Sequence, residues 1–465
     1  MRTRYIRPSW RKICAGAVLA ALTWTSAQAG TPTPFAPPTN ADLVLYRDAI
    51  LIDGTGAPAR PHMDVLVSGE RILSVFSDAT RPAETKAKVV DLHGKYLMPG
   101  LIDSHVHLAT PPNRRQAEAM LRRDLYGGVT AVRDMADDLR AIGDIARASR
   151  VGEIAASDVY YAALMAGPDF FNDPRTAQTT AGGEPGQVPW MQAVTDQTDL
   201  PLAVARAAGT SATAIKLYAD LDSVLAGRIT AEAHRQHLLV WSHATLYPAK
   251  PSEVVTAGVD AISHACLLVR ETDPQAPQWA QPRHPVDLDT FRAGDNPVLA
   301  RLFAVMVARG TILDATVWTY GAAPPAGPSS TPPLKPGSCD DVVGGAITRQ
   351  AYRAGVQISA GTDNVAPATD PWPDLFHELS ALVDRAGAPP SAVIRSATLV
   401  GARAAGQERD MGSLEPGKLA NMIVLSKDPL ASIDNLKTVV MTVKRGRVFT
   451  RDDFVPLRED DITDF

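Results

Sequence analysis

The segment Pro99-Gly100-Leu101-Ile102-Asp103-Ser104-His105-Val106-His107 sets two imidazoles one residue apart at the end of an apolar run. On a β-strand, residues i and i+2 point to the same face, so His105 and His107 would stand side by side. Taken alone, such a pair is as much a surface feature as a metal site. Other apolar runs supply companions. Lys216 interrupts Thr213-Ala214-Ile215-Lys216-Leu217-Tyr218, and His243 closes Val240-Trp241-Ser242-His243. His264 closes Ala261-Ile262-Ser263-His264, and Asp363 closes Ile358-Ser359-Ala360-Gly361-Thr362-Asp363. Imidazole nitrogens and carboxylate oxygens gathered at one place form a donor set suited to divalent metal ions.

Lys216 has two readings. A lysine pointing into an apolar interior costs several kcal/mol unless it is paired or modified. Either its ammonium reaches the mouth or an acid, or it is carbamylated, an anionic group able to bridge two cations. Spacing does not choose between them. Tyr218 lies two residues further on the same strand face. Its hydroxyl is placed either to steady an oxyanion or simply to pack.

The elements that must position these groups follow a repeating pattern between about residues 97 and 406. Strand-like apolar runs are expected at Leu101–Leu108, Val129–Asp134, Val159–Leu164, Ala214–Tyr218, Leu238–His243, Ala261–Leu267, Thr311–Val317 and Val356–Thr362. Each leads into helix-like sequence, for example Pro297–Arg309 and Leu375–Ala386. Eight such units predict an α/β fold, a (β/α)8 TIM barrel whose site lies at the carboxyl ends of its strands. Three connections at that face are long and read as irregular binding loops: Gly167–Asp199, Val269–Asn296 and Trp318–Asp341. Both ends of the chain read differently. Short β-type runs at Leu43–Tyr46, Ile50–Ile52, Asp64–Val67, Ile72–Val75 and Val89–Leu92 resume at Met422–Leu425, Val439–Val443 and Arg447–Thr450. A small β-sandwich domain built from both chain ends is expected, with residues 30–98 and 407–465 flanking a barrel of residues 99–406.

The first 29 residues carry five basic side chains and no acid, then the apolar run Ile13 to Trp24, then Ala27-Gln28-Ala29. This is the layout of a secretory signal peptide, and it predicts a periplasmic or secreted protein with no membrane span once the signal is removed. The remainder holds 41 basic against 51 acidic residues, a net charge of −10. Nucleic acid and anionic membrane surfaces are therefore poor partners. A small-molecule substrate is expected, and a homo-oligomer is compatible with the sequence. Cys266 and Cys339 remain after the signal. They could pair in an oxidising compartment, but two thiols in so long a chain are more often small core or loop residues, with Cys266 facing the barrel interior.

Taken together, the PGLIDSHVHL segment, the IKLYADL lysine strand, the SHA and ISHA strand ends, SAGTDN, and the stretch from Gly412 to Asn421 resemble the amidohydrolase superfamily. The likeness is to its imidazolonepropionase-like and prolidase-like branch and covers nearly the whole mature chain. It implies a hydrolase of C–N bonds holding two divalent cations, zinc being the one expected. His105, His107 and Asp363 would bind one metal and His243 and His264 the other, with carbamylated Lys216 bridging them. The resemblance implies attack by a metal-bridging hydroxide, with Asp363 as proton shuttle and Tyr218 at the oxyanion. An amide, an N-acyl amino acid or a dipeptide is the implied substrate. Alternatives are a cyclic-amide hydrolase resembling imidazolonepropionase, a lactone or phosphotriester hydrolase, and an inactive metal-stabilised binding protein. Asn421 departs from the family, which usually has Asp there; the position falls in the terminal β-domain. The other histidines read as peripheral: His62 and His93 in the β-domain, His234 and His237 at the barrel's far end. His284 and His377, with Trp279, Arg283 and Arg292, fall near the mouth and are open to substrate contact or to solvent.

Overall fold

A computed structural model describes residues 42–80, 86–274, 277–322, 339–363 and 370–456. The expected signal peptide lies outside these residues. Among the described residues no helix is long and apolar enough to cross a membrane.

Five strands open the chain: β1 (Leu43–Leu51), β2 (Arg60–Ser68), β3 (Arg71–Ser77), β4 (Lys88–Asp91) and β5 (Tyr96–Pro99). Ten follow: β6 (Leu101–Val106), β7 (Val129–Asp134), β8 (Asp158–Ala166), β9 (Gln187–Val188), β10 (Met191–Ala193), β11 (Ala214–Leu217), β12 (Leu239–His243), β13 (Ala261–Ser263), β14 (Ile312–Asp314) and β15 (Ile358–Ser359). The chain ends with β16 (Met422–Leu425), β17 (Val439–Lys444) and β18 (Arg447–Thr450).

Strands β6, β7, β8, β11, β12, β13, β14 and β15 pair in that order, all parallel. The seam closes through Ser104 N–H donating to Ala360 O at 2.8 Å and Asp363 N–H donating to His105 O at 2.9 Å. All eight expected strands are present at their expected places. They are apolar because helices cover one face and side chains fill the other: every residue of β6, β7, β8 and β11 is buried. The covering helices begin at side-chain caps, as where Asn296 accepts from Val298 N and Leu299 N at the start of Pro297–Arg309.

The other strands form a separate sheet in the order β18-β17-β16-β5-β1-β2-β3, with β4 also pairing β1. Both chain ends therefore build one unit with its own core, including Tyr46, Leu51, Val65, Leu97, Met422 and Val443. Two runs read as separate strands, Leu43–Tyr46 and Ile50–Ile52, are one bulged strand. The bulge turns at Asp48, with φ 57°, where the buried carboxylate of Asp64 accepts from Asp48 N at 3.0 Å. Asn421 falls in this sheet region, and its side-chain oxygen accepts from Arg445 N at 2.8 Å. The sheet is bolted to the barrel by buried charge. Lys444 Nζ lies 2.8 Å from Asp158 Oδ1 and donates to the carbonyls of Ser149 and Ala156, and Arg445 Nε reaches Asp158 Oδ2 at 2.9 Å.

Two expectations are corrected. The connection Gly167–Asp199 is not irregular: it holds a helix at Pro174–Thr179 and the hairpin β9–β10, with β10 extending the sheet beside β8. The two cysteines are not separate core residues but a disulfide, Cys266–Cys339, with Cα atoms 5.7 Å apart. Alternation would have aimed Cys266 inward, but β13 ends at Ser263 and the chain turns into a 3-10 helix at Ala265–Thr272. The inward rule lapses where the strand does.

The bridge closes a 73-residue separation, for which the chain-entropy relation gives about 4 kcal/mol. The double variant Cys266→Ser/Cys339→Ser should therefore unfold at clearly lower denaturant concentration. An unchanged midpoint, with two reactive thiols found in the native wild-type protein, would refute the pairing.

Candidate metal centre

Each candidate ligand stands where an apolar strand ends at the same rim of the barrel. His105 sits in β6 and His107 just after it; Lys216 is in β11, His243 ends β12, His264 follows β13 and Asp363 follows β15. Close approach at the seam depends on Gly361. A Cβ there would lie 2.3 Å from Asp314 Oδ1 and 2.6 Å from His105 Cβ, so only glycine lets the last strand close on the first.

Two of these residues have backbones in the left-handed region, His264 at φ 79° and Asp363 at φ 46°. Non-glycine residues pay about 1–3 kcal/mol for such conformations, which recur at functional sites. Both are held by the barrel itself: His264 N donates to Asp314 O and Asp363 N to His105 O, each at 2.9 Å.

Ligand atoms of His105, His264 and Asp363 lie within 4.8 Å of one another. Asp363 Oδ1 is 3.4 Å from His105 Nε2 and 3.5 Å from His107 Nε2, and its Oδ2 is 3.7 Å from His264 Nδ1. The rings of His243 and His264 are 4.8 Å apart. All five residues therefore meet in one cluster, in which the tightest group joins His264 to His105 and Asp363.

Burial decides the charge of these groups. It holds the pKa of His105, His243 and His264 below the ordinary value, to about 3 for His264, leaving neutral imidazoles with free lone pairs. His107 is only partly buried; desolvation works against its charge, but Asp137 and Asp363 on either side raise its pKa well above the ordinary value. Burial opposes the charged form of Asp363, yet His105, His107 and His264 hold its carboxyl far below the usual range. A carboxylate ringed by imidazoles suits a cation.

Lys216 is 1% exposed, and its Nζ has no hydrogen-bond partner among the described residues. Burial drives its pKa down to about 7. Of the two readings left open for this residue, escape of the ammonium to the mouth does not occur. An unsatisfied amine of this kind is costly, and it fits the donor set: carbamylation of its nitrogen would add a carboxylate with two ligand oxygens.

Sequence reasoning missed the groups behind the ligands. Asp314, wholly buried at the end of β14, has Oδ2 2.7 Å from His105 Nδ1, 2.9 Å from Ser263 Oγ and 3.3 Å from Arg133 Nη2. Accepting from Nδ1 leaves His105 Nε2 to face the site. Asp137 Oδ1 does the same for His107 at 2.9 Å, and Thr316 Oγ1 lies 2.9 Å from His264 Nδ1. One signal was readable: Ile312-Leu313-Asp314 closes the seventh apolar run with an acid, at the station where other runs carry ligands.

Among the remaining sites, Tyr218 lies with its ring 3.9 Å from that of His243, and its hydroxyl accepts from Arg175 Nη2 at 3.4 Å. His377 stacks on Trp318 at 4.8 Å. Arg292 pairs with Asp289 at 2.9 Å on the surface, and His284 is exposed. His234 pairs with Asp260 at the far end, while His62 and His93 stay in the terminal sheet.

Residues 345–449 match the amidohydrolase family. A stretch of 65 residues is 38% identical to adenine deaminase of Rubrobacter xylanophilus, covering 14% of this chain and 11% of that protein. Over most of its length the chain superposes on solved structures. These include a Xaa-Pro dipeptidase with methionine bound (TM-score 0.69, 20% identity, 88% of this chain and 100% of that one). A prolidase-like protein from Bifidobacterium longum gives a TM-score of 0.65 at 23% identity, over 90% and 97% of the two chains.

Ligand-supporting carboxylates typically contribute 10–100-fold to metal affinity. Asp314→Asn should weaken zinc binding by about that factor, measured by chelator competition on protein shown to be folded by circular dichroism. Unaltered affinity would mean that Asp314 serves the barrel alone. Residues 345–449 thus carry the amidohydrolase match, and the fold of the chain is shared with solved structures that include prolidase-like proteins.

Proposed function

We propose that the chain is an exported metal-dependent hydrolase that cleaves amide or peptide-like C–N bonds in a small substrate such as an N-acyl amino acid or a dipeptide. The observation that carries this reading is the unsatisfied Lys216 amine buried beneath a cluster of His105, His107, His243, His264 and Asp363. A lone binding surface has no need of so costly an arrangement. The names of the structural neighbours, a Xaa-Pro dipeptidase and a prolidase, support peptide-like substrates. The disulfide supports an oxidising compartment.

His105, His107 and Asp363 would hold one divalent cation, His243 and His264 a second, and Lys216, as its carbamate, both. Such cations, with zinc the expected one, supply Lewis acidity and an activated water when bound. Carbamylation needs no further reactant than carbon dioxide: the amine lone pair adds to the carbon and one proton leaves. Asp363 is placed to accept a proton from the attacking water and pass it to the departing nitrogen. The Tyr218 hydroxyl, drawn toward Arg175, offers a donor to the oxyanion that forms at the carbonyl. Asp314 and Asp137 keep the two histidines of the first strand turned toward the site.

Two variants test the reading. Lys216→Ala should lose much of its bound metal and nearly all amide hydrolysis, with partial recovery of both on adding short carboxylic acids. Full metal content in that variant would show the lysine to be incidental. Asp363→Asn should slow an amide far more than an activated aryl ester, because an amine must be protonated to leave and a phenolate need not. General acid–base help is worth about 10²–10⁴-fold. Equal losses on both substrates, with metal retained, would make Asp363 a ligand only.

A further inference from the structure

Four separate connections at the barrel mouth each bring one aromatic ring to the same place. Phe170 comes from the turn after β8, Tyr218 from the end of β11, Tyr247 from the loop after β12 and Trp279 from the loop after β13. Ring centres lie 4.5 Å apart for Phe170 and Tyr218, 5.6 Å for Phe170 and Trp279, 6.0 Å for Tyr247 and Trp279, and 6.4 Å for Tyr218 and Trp279. The group is continuous with the metal centre, because Tyr218 also lies against His243 at 3.9 Å.

The position of Trp279 is built in advance. Arg283 Nη1 donates to the carbonyls of Gln278, Trp279 and Gln281 at 3.0, 3.1 and 2.9 Å, winding the loop around its own guanidinium. The flat face of that guanidinium rests on Tyr247, 3.7 Å from the ring centre, and 5.2 Å from that of Trp279. Arg283 thus holds the loop by its Nη1 and packs its guanidinium against the rings of Tyr247 and Trp279. Arg175 is likewise occupied, by Asp173 at 2.7 Å.

Packing alone would bury all four rings. Phe170 and Tyr247 are buried, whereas Tyr218 and Trp279 keep part of their surface exposed at the mouth. Preorganised, partly exposed aromatic surface beside a reactive centre is the setting in which a flat apolar group gains affinity without an ordering cost.

We propose that Phe170, Tyr218, Tyr247 and Trp279 form a substrate subsite that selects a neutral aromatic or similarly flat apolar group next to the scissile bond. This rests on the amide-hydrolase reading above. Affinity can be measured independently of turnover, by calorimetry of the metal-loaded protein with benzoate and acetate as probes, since neither holds a bond to cleave. A ring contact of this kind predicts that benzoate binds about 10-fold or more tightly. Trp279→Ala should collapse that ratio toward one, and Trp279→Phe should keep most of it. Phe170→Leu, a buried substitution that retains volume, should lower the ratio less than Trp279→Ala does. Equal binding of the two probes by the wild type, or a ratio that survives Trp279→Ala, overturns the subsite. A clear ratio in a protein that hydrolyses no amide overturns the hydrolase reading while supporting the subsite.

Discussion

A carboxylate with no access to water, that of Asp314, stands where the first, second, sixth and seventh barrel strands converge. Its charge is tolerable only because His105, Ser263 and Arg133 share it. Burial opposes ionisation, and His105 and Arg133 overcome it, so the group stays charged. Arg133 is itself fully buried, donates to Ser104 O at 2.7 Å and lies 4.5 Å from the ring of Trp241. The same contacts that keep Asp314 ionised therefore fix the tautomer and direction of His105, the backbone of the strand that carries it, and the indole beneath. Remove this carboxylate and an arginine in the barrel interior loses its counter-charge, and the first imidazole loses its orientation.

Lys216 is the complement to that arrangement. His105, Arg133 and Asp314 answer one another, while the Lys216 amine has no hydrogen-bond partner among the described residues. Stability alone would favour an apolar residue of the same volume, because an unmatched polar atom costs about 1–3 kcal/mol. The strand Ala214–Leu217 carries the burden in an otherwise apolar stretch, buried at every position. Local cost at one residue, set in a frame rigid enough to impose it, is the physical mark of a site kept for chemistry.

The barrel was legible because its strands are buried on both faces, so that each reads as a short apolar run, and a polar residue at such a run's end is conspicuous. His105, His107, Lys216, His243, His264 and Asp363 all announced themselves in this way. Of their supporting groups, Asp137 and Thr316 did not, since they sit past strand ends where no period constrains direction, whereas Asp314, an acid within the seventh apolar run, was readable. Pairing across distance was also illegible: nothing local to Cys266 points to Cys339, and nothing local to Phe170 points to Trp279. Bulges hide similarly. The positive φ at Asp48 depends on a carboxylate sixteen residues away, so one strand read as two.

The terminal sheet makes the order of synthesis matter. Strand β5 leads through Gly100 directly into the first barrel strand, and one of its edges is covered only by β16, with Pro99 opposite Met422 and Leu97 opposite Val424. A nascent chain therefore displays an uncovered strand edge carrying Leu97 and Met98 throughout the making of the barrel. Such edges recruit other chains. Strands β16 to β18, made after the barrel, act as a latch, shielding that edge, and a product cut short before Met422 would hold every candidate ligand yet keep an adhesive flank.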